Sequence, residues 1–134
     1  MGRSWNFGVL VSVMCVTACV AAHGQTRILY LSKSSGFEHA AVKRADDQPS
    51  VSEKILTQLA EEHGAEITCT KDASLINAEN LKKYDVVIFY TTGVLTETGT
   101  DGQPAMGPDG LKDLIAWVNH GGGFVGLHAA TDTF

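Results

Sequence analysis

The side chains best suited to chemistry stand near the end of the chain, in Gly126-Leu127-His128-Ala129-Ala130. A glycine and small residues around one functional side chain is the pattern of a nucleophile elbow, where a strand turns sharply and leaves its central residue exposed. The central residue here is His128, so the site offers a general acid/base, a ligand or a hydrogen-bond donor, and not the usual acyl-enzyme. A second imidazole, His39, lies in "SSGFEH", and Asp132 follows His128 by four residues. Asp132 reads equally well as the cap of a following helix. Together the three could hold a divalent metal such as zinc, although two histidines and one carboxylate from separate loops are a weak pattern. His63 and His120 sit at predicted helix ends and read as partners of the helix dipole.

These residues need elements to position them. "TRILYLSKS" (26–34) reads as a first strand and "AEITCT" (65–70) as a second. "YDVVIFYTTG" (84–93) is a third, whose apolar run Val86 to Tyr90 fits burial on both faces. "GGFVGLHA" is a fourth. Between the first two strands, Ser50-Val51-Ser52-Glu53 is a capping box that opens a helix, with Val51, Ile55, Leu56 and Leu59 at helical spacing and Gly64 as its stop. A short helix capped by Asn77 precedes the third strand. Another, with Leu111, Leu114, Ile115 and Val118 on one face, precedes the fourth. Trp117 on that helix reads as packing. The loop 94–107 reads as an irregular insertion or a lid. The alternation predicts an α/β fold, an open parallel sheet with helices on both faces. In such sheets ligands gather beyond the carboxyl ends of the strands. Ser34, Ser35, His39, Thr91, Thr92, His128, Thr131 and Asp132 all fall there.

The first quarter of the chain reads as an address. An uncharged apolar run from Phe7 to Ala22 follows Arg3, so residues 1–24 read as a signal peptide with a mature start at Gln25. A second reading takes Val16-Thr17-Ala18-Cys19 as a lipobox, with a lipid anchor on Cys19. Either implies an exported protein, periplasmic or extracellular. The net charge is −5 and becomes −6 without Arg3. An acidic chain without a cluster of Lys and Arg argues against nucleic acid, and against a membrane surface beyond that anchor. Cys69 is the one cysteine beyond the leader, and reads as a small packed residue.

Gly121, Gly123 and Gly126 match the dinucleotide spacing G-x-G-x-x-G, but they follow a helix and open a strand, the reverse of what a phosphate-binding loop needs. The stretches "ILYLSKSSGFEH", "YDVVIFYTTG" and "HGGGFVGLHAATDTF" instead resemble the trehalose-utilisation (ThuA-like) family, within the class I glutamine amidotransferase-like superfamily of flavodoxin-like folds. The resemblance covers about residues 27–134. It implies a domain of sugar metabolism, with His39, His128 and Asp132 as polar pocket residues and Ser34, Gly36, Phe37, Thr92 and Thr131 around them. Phe37 and Tyr90 could stack on a sugar ring or pack in the core. The superfamily often presents cysteine at the elbow; His128 in that place speaks against glutamine hydrolysis. Members usually continue further, so the chain reads as an N-terminal portion whose sheet is incomplete at the C-terminus. A non-catalytic binding module and a metal-dependent hydrolase stand as the alternative functions.

Overall fold

The apolar runs expected as strands pair in one sheet. A computed structural model describes Met1, residues 24–46 and 48–131, and Thr133. Its elements are β1 (Arg27–Leu31), α1 (Val51–Glu62), β2 (Glu66–Thr70), α2 (Ala78–Leu81), β3 (Val86–Phe89), α3 (Gly110–Asn119) and β4 (Gly123–Gly126), with 3₁₀ turns at Ala73–Leu75 and His128–Thr131. The order across the sheet is β2-β1-β3-β4, every pair parallel. This is the flavodoxin-like α/β arrangement expected. Residues 2–23 of the proposed leader, Cys19 among them, and Asp132 lie outside the described residues.

Leu29 stands opposite Val87, and Val87 opposite Phe124. Because side chains alternate along a strand, Leu29, Leu31, Val87, Phe89 and Phe124 share one face. The core lies on it: Ile76, Leu81, Leu95, Met106 and Leu114 are buried against those strand residues, with Tyr84 and Trp117 at its margin. The other face belongs to α1, where the Tyr30 hydroxyl donates to Ser52 Oγ at 2.8 Å. Helices therefore cover both faces. The glycines before β4 are punctuation: Gly121 ends α3 at φ 100°, and a Cβ on Gly122 would run into the Trp117 indole.

The helix punctuation holds. Ser50 accepts from Glu53 N and the Glu53 carboxylate accepts from Ser50 N, which completes the capping box. Asn77 caps α2. His63 and His120 stand at the C-caps of α1 and α3.

The helix orientations require a correction. Of the stripe Val51, Ile55, Leu56 and Leu59, Leu56 is half-buried and the other three point to solvent, while Glu53 and Ala60 are buried. The reason is polar: Ser52 meets Tyr30, Thr57 Oγ1 lies 3.9 Å from Cys69 Sγ, and the Arg44 guanidinium clasps the Glu53 carboxylate. Those contacts fix the roll of α1. Of the apolar stripe of α3 Leu114 is buried, whereas Leu111, Ile115 and Val118 are exposed. The 94–107 segment is anchored rather than loose. Leu95 and Met106 are buried, and the buried Lys33 ammonium donates to the carbonyls of Gln103 and Pro104 at 3.0 and 2.9 Å.

Candidate functional site

Three strand ends build the site. Ser34 and Thr92, each three residues past the end of its strand, form an isolated parallel bridge that extends the pairing of β1 with β3. Ser35 N donates to Thr92 O at 2.8 Å, and Thr92 Oγ1 donates to Phe37 O at 2.6 Å. Gly93 makes this closeness possible: at φ 71°, with the Ser35 carbonyl in the space of a Cβ, no other residue fits. The 35–39 loop is thereby tied down over β3. From the neighbouring strand, Leu127 N donates to Phe89 O at 2.8 Å, and the chain then turns at His128 with φ 57°. A left-handed histidine at a strand end is the strained geometry that an elbow requires.

The two loops bring His39 and His128 together across 89 residues of sequence, Nε2 to Nε2 at 2.9 Å. The rings meet nearly edge to face, 4.4 Å apart. Tyr90, the residue after β3, stands 5.9 Å from the His128 ring and 6.3 Å from the His39 ring. Phe37 lies edge-on to His39 at 4.7 Å and is 70% exposed. His128 is exposed and His39 half-buried, so a ligand can reach the pair from solvent. A hydrogen bond between two ring nitrogens needs one protonated and one bare, so the pair holds one shared proton between a donor and an acceptor. That is the equipment for moving a proton to or from a bound molecule.

Other expected residues fall in different places. Thr92 and Ser34 are buried beneath the loop, Thr92 as its tether and Ser34 with a hydroxyl that has no partner among the described residues. Gly36 is exposed in the turn before Phe37. Thr131 lines an apolar trough of about 410 Å³ with Phe89, Leu114, Ile115 and Phe124, to which neither imidazole contributes. The two imidazoles converge as metal ligands would. Among the described residues, however, no three His, Cys, Asp or Glu side chains form a metal-binding group. Burial pushes the Cys69 thiol up, which favours the unreactive protonated form.

A second polar group escaped the sequence reading. The Lys71 ammonium is buried among Glu38 Oε1 at 2.8 Å, Asp101 Oδ2 at 3.2 Å and the carbonyls of Ser32 and Val42. Glu38 sits inside the "GFEH" stretch and could have been noticed there. Lys71 and Asp101 come from distant loops with no motif of their own.

No curated protein and no solved structure matches the chain. The family model described as ThuA, trehalose utilisation, matches residues 27–134, which cover all four strands and both histidine loops. The chain belongs to the ThuA trehalose-utilisation family.

Proposed function

We propose that this domain performs acid–base chemistry on a sugar derivative, with the His39–His128 pair as the reacting groups. The contact between their Nε2 atoms at 2.9 Å carries the reading. A ligand entering between the rings breaks their contact, and the bare nitrogen, its lone pair released, takes a proton from a hydroxyl or a C–H made acidic by a neighbouring carbonyl. The protonated nitrogen of its partner returns one to the oxygen where charge develops. Neither step leaves a covalent enzyme intermediate, which is consistent with an imidazole where a serine or cysteine would stand. The exposed Phe37 ring offers a flat apolar surface of the kind on which the C–H face of a sugar ring packs. The apolar run at residues 7–22 supports placing this activity outside the cytoplasm.

Replacing His128 with Ala in the full chain tests the reading. Turnover of the sugar is expected to fall by about 10²–10⁴-fold, with sugar binding retained. Unchanged turnover would remove the pair from the chemistry. If no turnover is found for the wild type but binding depends on His128, the domain is a binding module.

A further inference from the structure

The loop that carries His39 has a second wall. Glu38, its chain neighbour, lines a cleft of about 480 Å³ with Lys43, Arg44, Asp46, Lys71 and Asp101. The volume lies within the ordinary range for small-molecule sites. We propose that this cleft is a subsite for the hydroxyl-rich part of a sugar ligand that extends beyond the ring at the histidines. The inference rests on reading the His39–His128 pair as the reaction centre and adds a second binding region to it.

The lining decides the class of ligand. No large apolar side chain contributes to it, so an aromatic or lipid group would gain nothing by entering. Three cations and three carboxylates surround it. A phosphate would meet the carboxylates of Glu38, Asp46 and Asp101, and a polyamine would meet Lys43, Arg44 and Lys71. A neutral polyhydroxyl compound suffers neither repulsion, and its hydroxyls can donate to the carboxylates and accept from the Lys43 ammonium. The floor is also organised in advance. Lys71 holds Glu38 through Oε1 and Asp101 through Oδ2, and Gln103 N donates to Asp101 Oδ1 at 3.2 Å. Thr100 is fixed by its N–H to Ser34 O at 2.9 Å. Carboxylates held in this way lose little freedom when a ligand arrives. Lys71 acts here as a positioning residue, because its own donors are taken up by the protein.

The test compares a one-ring with a two-ring sugar on the isotope-labelled full chain. Glucose is expected to shift the backbone amide signals of His39 and His128. Trehalose should shift those and also Lys43, Thr100 and Gln103. The double variant Lys43→Ala, Gln103→Ala keeps the Gln103 carbonyl that Lys33 uses, so the segment stays anchored. It is expected to bind trehalose about tenfold more weakly, as the loss of two ligand hydrogen bonds would give, and glucose unchanged. Identical footprints for the two sugars, or unweakened trehalose binding by the double variant, would overturn the subsite and leave the histidine reading intact. If neither sugar moves His39 or His128, the reaction centre itself is wrongly assigned and the subsite falls with it.

Discussion

His128 combines exposure with a left-handed backbone, a conformation that costs an L-residue roughly 1–2 kcal/mol. The strain is independent of the imidazole, so two substitutions separate them. His128→Ala and His128→Gly both remove the ring, and only glycine relieves the backbone. His128→Gly is expected to be the more stable by about 0.5–1 kcal/mol, after the greater unfolded-state freedom of glycine is set against the relieved strain. Equilibrium denaturant unfolding of the two variants checks this; a more stable alanine variant would mean that the turn carries no strain. Glu53 poses a different question at the same scale. Burial alone would push its carboxyl up, but the Arg44 guanidinium and the Ser50 amide and hydroxyl outweigh that and hold it below its ordinary value. A depressed folded value gives stability that is fully present above the unfolded pKa and is lost as pH falls through the folded one. The melting temperature is therefore expected to fall as pH drops below about 4.5, and Glu53→Gln should flatten that part of the profile. An unchanged acid limb in the variant would show that Glu53 does not set it.

The roll of α1 is set by its polar residues. Ser52, Glu53, Thr57 and Ala60 turn toward Tyr30, Arg44 and Cys69, and the apolar stripe of Val51, Ile55 and Leu59 is left outside. Ile55→Glu is thus expected to change stability by no more than about 0.5 kcal/mol, whereas Ala60→Glu places a carboxylate in a buried site and should cost about 2 kcal/mol or more. Thermal melts of the two variants check the orientation, and the reverse ranking would mean that the stripe faces the sheet after all. The comparison also shows which features of this fold were legible from sequence. Strand runs, the Ser50–Glu53 box, the Asn77 cap and the Gly121 stop depend on residues close together in the chain, and each stands where local chemistry put it. The roll of a helix depends on what it meets. Helical spacing identifies a stripe without saying what the stripe faces, and Tyr30 and Cys69 reach α1 from other strands. The histidine pair lies between these cases. Parallel order sends His39 and His128 to the same end of the sheet, which the sequence implied, but their direct contact depends on the Gly93 crossing and the left-handed turn. The Lys71, Glu38 and Asp101 group joins three separate loops, and nothing in their spacing foretold it.

Across the whole molecule, the described residues leave apolar surface open on both sides of the sheet. Among the described residues β4 is an edge strand, and Phe124 and Val125, on its opposite faces, are 43% and 42% exposed. Beside Phe124, the trough formed with Leu111, Ile115 and Val118 of α3 runs along that free edge. An unpaired edge strand next to contiguous apolar side chains is the arrangement most prone to self-association, because backbone pairing and apolar burial can be gained in one contact. ANS is expected to bind the protein in its folded state, and the sedimentation coefficient to rise with protein concentration. Ile115→Lys places a charge in the middle of the trough at a position that is 52% exposed. It should reduce both effects while changing stability by no more than about 0.5 kcal/mol. Sedimentation velocity at increasing concentration, with dye binding measured in parallel, separates the possible surfaces. If Ile115→Lys leaves both readouts unchanged and Ile55→Lys suppresses them, the association surface is the outward stripe of α1, and the edge of β4 is protected by its own twist and short length.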